Sequence, residues 1–415
     1  MKTIYELQEL VNIARSRSPY YKELYKDLGH NPKINDIPII DQDSFWQANN
    51  PQNNKLLTES HRNGIVFKSG GTTGNPKFSY FTKQEWKVFT DEFGSGMDRA
   101  GFEAGDRVAN LFYAGELYAS FVFIMKSIEA MQTPVIHFPL SGAAPFEQIV
   151  KSIEELGVNV LAGVPTTMMN FIAYLQEHKK KIKIDKIFFG GEDLYDDQRE
   201  KLKKIFGDIK ISSIGYASVD GGHLGFVDSS CGPSVHYTFN KTSIMQIIDE
   251  ESGEEITELH RPGKLIYTNL TRSLMPIIRY PVGDRAEWVG KEQFRLLGRS
   301  SEGARVGPVT VNRDDVHHIL EKFPLNSLIL GFQLRVTREE GLDLLTLVLG
   351  ASDPILLQNS VSDLIQYFYR ERPMFKELVD LKMICPLQIE VLPFSGLEKN
   401  VRTGKLKLVI DLRKD

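Results

Sequence analysis

Apolar residues recur at helical spacing near the start of the chain, at Leu7, Leu10, Val11, Ile13 and Ala14 and again at Tyr20, Tyr21, Leu24 and Tyr25. This predicts one or two helices packed on a larger body. A polar, proline-containing connector follows at 31–38. Ile65-Val66-Phe67 is a short apolar run entering a glycine-rich stretch, so it predicts a buried strand, and 82–93 predicts a helix. Strand-like runs then fall at 107–113, 134–138, 158–162, 186–189 and 210–214, separated by helical patterns at 118–130, 146–156, 166–179 and 196–206. Strands alternating with helices at this rhythm predict a largely parallel sheet covered by helices. Chemistry on such a sheet sits in loops at the strand ends.

The pattern changes after Gly225. Residues 235–289 are rich in β-branched positions and turns, which predicts a β-rich subdomain over about 226–298. A polar, glycine-bearing segment from Gly298 to Gly307 reads as a domain boundary. Beyond it the pattern predicts a helix at 313–320, a hairpin of 328–336 with 344–349, a helix at 354–370 and a strand at 387–392. The expected fold class is α/β. A large N-terminal domain (1–298) of mixed or parallel sheets covered by helices carries the β-rich subdomain, and a small, mobile α+β C-terminal domain spans 299–415.

Composition narrows the function classes. The 415 residues exceed one ordinary core, and 41% hydrophobic with 25% charged residues is usual for a globular protein. A net charge of -4 offers no electrostatic footprint for nucleic acid or an anionic membrane. No apolar stretch is long enough to span a bilayer, and Met1 to Glu6 does not read as a signal peptide. Two cysteines, Cys231 and Cys385, exclude a disulfide scaffold and point to a reducing cytoplasm.

The run Ser69-Gly70-Gly71-Thr72-Thr73-Gly74-Asn75-Pro76-Lys77 is the main chemical signal. Its glycines let backbone N–H groups converge on an anion, its hydroxyls donate, and Lys77 adds a cation. That composition suits a polyphosphate. A Walker-type loop fits poorly, because Asn75-Pro76 intervenes before the lysine and Phe78 follows it.

This nonapeptide resembles the phosphate loop of the adenylate-forming superfamily of acyl- and aryl-CoA synthetases, carrier-protein adenylation domains and luciferases. Further motifs follow in the family's order. Gly190-Gly191-Glu192 is similar to the segment bordering adenine and the acid pocket. Tyr216-Ala217-Ser218-Val219-Asp220 stands in the place of Tyr-Gly-x-Thr-Glu. Arg279 to Asp284 resembles the motif whose aspartate binds the ribose, Gly298-Arg299 the hinge, and Arg402-Thr403-Gly404-Lys405 the motif with the catalytic lysine. Within the superfamily, Ala14 to Tyr21, Leu161 to Pro165 and Cys231 with His236 resemble phenylacetate–CoA ligases.

The resemblance implies ATP and Mg²⁺ as cofactors, Asp220 as a metal carboxylate and Lys405 as the catalytic residue. It implies nucleotide contacts at Gly191, Glu192, Tyr216, Ala217, Asp284 and Arg299. The residue chemistry agrees: Asp284 has two acceptor oxygens for a ribose diol, and Arg299 can fork onto ribose or phosphate. Tyr216 serves either as an adenine platform or as core packing, and Glu192 lies either at the substrate edge or at a helix N-terminus. Phe112, Tyr113, Tyr118 and Gly190 are expected to line the acid pocket, and aromatic walls suit a flat aryl acid or a short acyl chain. Three departures weaken the family pattern at the acceptor step and the metal: Ala217 for glycine, Val219 for threonine and Asp220 for glutamate; Ser301 also departs at the hinge. Cys231, His236 and His223 are a candidate partial zinc set. His317 and His318 are adjacent on a predicted helix and face different ways.

The resulting expectation is ATP-dependent activation of a small, aromatic carboxylic acid, followed by thioester formation with coenzyme A or a carrier-protein phosphopantetheine. Three alternatives stand beside it: a stand-alone aryl-acid ligase loading a carrier protein in siderophore or secondary-metabolite synthesis, an acyl-protein synthetase serving a partner reductase, and a non-catalytic nucleotide-binding protein on the same fold. No nucleic-acid or membrane partner is expected, and a homodimer remains open.

Overall fold

The structure, a computed structural model, describes residues 3–68, 77–299 (299 in its backbone only), 303–339, 341–401 and 403–413. Ser69, Gly70, Gly71, Thr72, Thr73 and Gly74 therefore lie outside the described residues, as do Ser301 and Arg402.

The architecture is α/β, as the pattern predicted. A fully parallel five-stranded sheet runs in the spatial order Ile136–Phe138, Arg107–Leu111, Val160–Gly163, Lys186–Phe189, Lys210–Ser213. Its central strands are buried along their whole length, which is why they read as continuous apolar runs and not as alternating ones. Helices Phe146–Leu156, Pro165–Glu177 and Asp196–Phe206 contribute to the core on one side. Helices Lys83–Ala100 and Ser120–Ala130 contribute to the core that holds Phe93, Phe123 and Phe188. The Lys83–Ala100 helix starts at a capping box, in which Thr82 Oγ1 accepts from the Glu85 N–H and a Glu85 oxygen accepts from the Thr82 N–H. Ile65–Lys68, before the glycine-rich run in the sequence, pairs antiparallel with Phe78–Phe81, after it.

The β-rich part is a seven-stranded antiparallel sheet. It begins earlier than the composition suggested, at Tyr216–Ser218 and Gly222–Phe226, because those short strands pair onto it through Val235–Thr238. The N-terminal helices Leu7–Arg17, Pro19–Leu24 and Gln42–Ala48 share a core with this sheet, through Tyr21, Tyr25 and Phe45 against Tyr267 and Tyr280.

Beyond Gly303 a four-stranded sheet is built on the Ile329–Glu339 and Leu342–Ala351 hairpin, with Gln388–Pro393 and Val409–Asp411 added in parallel at its edges. The expected single helix over 354–370 is two, Pro354–Gln358 and Val361–Glu371, and a further helix spans Pro373–Asp380. The break falls at Asn359 and Ser360, where the Ser360 N–H still donates to the Leu357 carbonyl and the Ser360 carbonyl accepts from Leu364 as the second helix begins. Leu330, Val348, Phe394 and Leu397 enter the same core as Met168 and Phe171 of the Pro165–Glu177 helix. Among the described residues no helix is long and apolar enough to cross a membrane.

Candidate active site

The candidate residues gather where three bodies meet: the strand ends of the parallel sheet, the antiparallel sheet and the C-terminal loop around Lys405. The strand Lys186–Phe189 ends at Gly190, and Gly191 takes a left-handed backbone with φ +82°. A Cβ on Gly191 would lie 3.2 Å from both Cε and Nζ of Lys405. The glycine thus leaves space that the lysine side chain occupies.

Glu192, next in the chain, has both oxygens engaged. Oε2 accepts from the Thr166 N–H at 2.9 Å, and Oε1 accepts from Thr166 Oγ1 at 3.0 Å and from the Leu406 N–H at 3.2 Å. The carboxylate therefore ties the Pro165–Glu177 helix N-terminus to the residue after Lys405, where helix dipole and ionised acceptor reinforce each other.

Gly404, at φ +69°, carries the other half of the approach, since a Cβ there would overlap the Tyr113 ring. Tyr113 is held in turn by a hydrogen bond between its hydroxyl and Thr167 Oγ1, 3.1 Å apart, and burial raises its phenol pKa. Gly190 packs beside Phe112, while Tyr118 is buried and its backbone turns back onto Gly115. Among the predicted pocket aromatics, Tyr113 meets the Lys405 loop at Gly404.

The loop itself is braced from behind. Asn400 accepts from the Gly404 N–H and donates its own N–H to the Lys405 carbonyl, each at 2.8 Å. Buried Gln333 spans the two arms of the loop, donating to the Glu398 and Lys407 carbonyls and accepting from the Glu398 N–H. Lys399 Nζ reaches Asn170 Oδ1 at 2.7 Å, and burial lowers its pKa, partly offset by Glu192. Further contacts between the C-terminal region and the large one are Arg313 with Asp193 at 3.3 Å and His317 stacked on Tyr195 at 3.5 Å between ring centroids. His317 is thus structural, and His318 points to solvent.

On the antiparallel sheet the Tyr216 hydroxyl donates to Asp284 Oδ2, and Asp284 stands opposite Arg299 in the strand register. The Tyr216 ring packs near His236 and Phe294. Ala217 pairs with His223 across the sheet. Asp220 Oδ2 accepts from the Tyr280 hydroxyl at 2.8 Å, and its backbone carbonyl accepts from Arg272. Arg272 is fully buried, lies over the Phe81 ring at 4.1 Å, and has its pKa lowered to about 10 by desolvation against the pull of Glu85 and Asp220. Lys77 Nζ lies 5.2 Å from the centre of the Trp46 ring.

The cysteine and histidines are not brought together. His223 pairs with Thr242 Oγ1 at 2.9 Å, His236 with the Ser234 carbonyl at 3.1 Å, and Cys231 accepts from the Asp228 N–H. Burial lowers the two histidine pKa values to about 3 and about 4. No group of three or more His, Cys, Asp or Glu that could hold a metal occurs among the described residues. A single hard carboxylate, Asp220, is compatible with Mg²⁺, which is commonly bound through one or two carboxylates and substrate phosphates.

Sequence reasoning missed Thr166, Thr167, Asn170, Gln333, Lys399, Arg272 and Trp46, and gave Tyr280 no role of its own within the Arg279 to Asp284 motif. Pro165 at a helix start was the one signal, since a helix N-terminus beside a strand end is a ready acceptor site.

No family model matches the chain. It is 31% identical over 257 residues to the indoleacetate–lysine synthetase of Pseudomonas savastanoi, covering 60% of this chain and 59% of that relative. It is 23% identical over 434 residues to a phenylacetate–coenzyme A ligase of Thermus thermophilus, covering 98% and 95%. A 2-hydroxyisobutyryl-CoA ligase in its postadenylation state superposes with a TM-score of 0.78 at 16% identity, over 98% of this chain and 88% of that one. The same ligase in its thioesterification state gives 0.64. The fold is that of the adenylate-forming ligases. Within that class the chain is similar to phenylacetate–CoA ligases and to the indoleacetate–lysine synthetase, in keeping with the resemblance its motifs carry.

Proposed function

We propose that this chain uses ATP to activate a small, aromatic carboxylic acid as its acyl-adenylate and then passes the acyl group to the thiol of coenzyme A. The single observation that carries this reading is Lys405 seated against Gly191, beside Glu192. A carboxylate oxygen attacks the α-phosphorus of ATP, the bond to pyrophosphate breaks, and negative charge builds on the oxygens around phosphorus. A fixed ammonium there stabilises the transition state as an oxyanion donor does. Lys77 and the run from Ser69 to Gly74 hold the departing pyrophosphate. Asp284, with Tyr216 and Arg299, receives the ribose, and Gly190, Gly191, Ala217, Tyr113 and Tyr118 border adenine and acid. When Mg²⁺ is bound at Asp220 it neutralises phosphate charge. In the second step the thiolate attacks the acyl carbon and AMP leaves, so no protein nucleophile is needed.

We further infer that residues 1–298 and 299–415 act as separate bodies about Arg299, with the present docking suited to adenylation. Pyrophosphate exchange with a panel of arylacetic, benzoic and aliphatic acids tests the first step. Exchange with none of them would overturn it and favour a nucleotide-binding protein on this fold. A carrier-protein thiol in place of coenzyme A is tested in the same reaction.

A second reading concerns the acceptor. The 31% likeness to a synthetase that joins indoleacetate to lysine favours an amine, which would form an amide in place of the thioester. Mass spectrometry of products with coenzyme A and with lysine supplied together separates the two.

A further inference from the structure

The Gln42–Ala48 helix lies outside every motif, yet it reaches the candidate site twice through one side chain. Trp46 Nε1 lies 3.1 Å from the Tyr280 hydroxyl oxygen, and Gln42 Nε2 lies 3.2 Å from it. An indole N–H can only donate. The Gln42 amide is oriented by its second contact, to the Pro281 carbonyl, which can only accept. Two donors therefore occupy the lone pairs of the Tyr280 oxygen. Its one proton is directed to the remaining neighbour, Asp220 Oδ2 at 2.8 Å. Tyr280 is fully buried, with Phe45 and Trp46 packed on its ring, so this direction has little freedom to change. The opposite use of the same indole is its face, with Lys77 Nζ 5.2 Å from the ring centre, inside the range of a cation–π contact.

We propose that Trp46 is a positioning residue of the adenylating site: its ring face carries the Lys77 ammonium, and its N–H, relayed through Tyr280, sets the Asp220 carboxylate. The inference rests on the adenylation reading. One indole would then couple the cation that holds pyrophosphate to the carboxylate on the metal side. Lysine loses much rotamer freedom when it is fixed, so a platform that holds it beforehand improves phosphate binding.

The test is calorimetric binding of MgATP, Mg²⁺-pyrophosphate and AMP to the full chain and three variants. Trp46→Phe keeps a ring under Lys77 but removes the N–H, and Tyr280→Phe removes only the hydroxyl. Both should raise the Mg²⁺ concentration needed for half-maximal ATP binding about 10-fold, the usual scale for losing an outer-shell partner. Trp46→Leu should in addition weaken pyrophosphate about 3- to 30-fold. AMP, which lacks the outer phosphates, should bind all four proteins alike. The proposal is overturned if Trp46→Leu binds MgATP as the wild type does, or loses AMP in equal proportion, as a purely structural role requires. Tyr280→Phe, a near-isosteric change, decides the relay even if Trp46→Leu does not fold. Wild-type protein that binds MgATP without pyrophosphate exchange would sink the adenylation reading and leave the placement of Lys77 and Asp220 standing.

Discussion

Lys399 donates to Asn170 across 2.7 Å, joining the loop that bears Lys405 to the Pro165–Glu177 helix. The pair ties the loop to the helix, and its cation is half-buried, so an unpaired Lys399 would favour the loop moving away. Hydrogen bonds to charged groups contribute about 1.5–3 kcal/mol. Asn170→Leu should therefore slow pyrophosphate exchange by about 10-fold or more. Acyl transfer from a supplied acyl-adenylate should be unchanged or faster. Equal slowing of both steps would show that the contact merely supports the fold.

Lys405→Ala removes the ammonium next to Gly191. On the proposed role, losing one transition-state donor costs about 2.7–4 kcal/mol, so adenylation should fall about 100- to 1000-fold. Transfer from the supplied acyl-adenylate should be much less affected, and single-turnover assays of each half-reaction read the difference.

Gly404 works by what it lacks. Its left-handed backbone costs a substituted residue about 1–2 kcal/mol, and a Cβ would also overlap the Tyr113 ring. Gly404→Ala should reproduce the Lys405→Ala pattern with the lysine still present. Adding Tyr113→Ala should restore part of the adenylation rate by removing the overlap. If the double variant is no faster than the single one, the ring contact is not what positions the loop.

Acid stability follows from two buried histidines. Burial lowers His223 to about 3, aided by the nearby Arg272 cation, and His236 to about 4, from a model-peptide value of 6.5. Both are neutral in the folded chain near neutrality, while the unfolded chain binds their protons below 6.5. Stability is therefore full above that value and is lost as pH falls toward about 4 and about 3. Each histidine contributes a slope of about 1.4 kcal/mol per pH unit. Urea midpoints measured between about pH 7 and about pH 5 should show it, and His236→Phe should flatten the slope by one histidine's share. An unaltered slope would mean that His236 titrates normally in the folded state.

Much of the fold was legible because its signals are local. Helices Phe146–Leu156 and Asp196–Phe206 and the strand Lys186–Phe189 fall where periodicity placed them, since each buries one stripe or a whole short run. The break at Asn359 and the early start of the antiparallel sheet at Tyr216 were not legible. Two- or three-residue strands carry too little pattern, and what makes Tyr216–Ser218 a strand is its partner at Gly222–Phe226.

The candidate site divides in the same way. By itself the sequence determined which residue types are present and in what order: the run from Ser69 to Lys77, Gly190 to Glu192, Tyr216 to Asp220, Asp284 and Lys405. It determined also that glycines stand at positions 191 and 404, where the backbone turns left-handed. Only the tertiary structure decided what each of these meets. Glu192 is spent on Thr166 and Leu406, Lys399 finds Asn170, and Trp46 stands between Lys77 and Tyr280. The physical reason is separation along the chain: residues 46 and 280 share no periodicity, and their contact exists only because a helix and a sheet bury aromatic faces in one core.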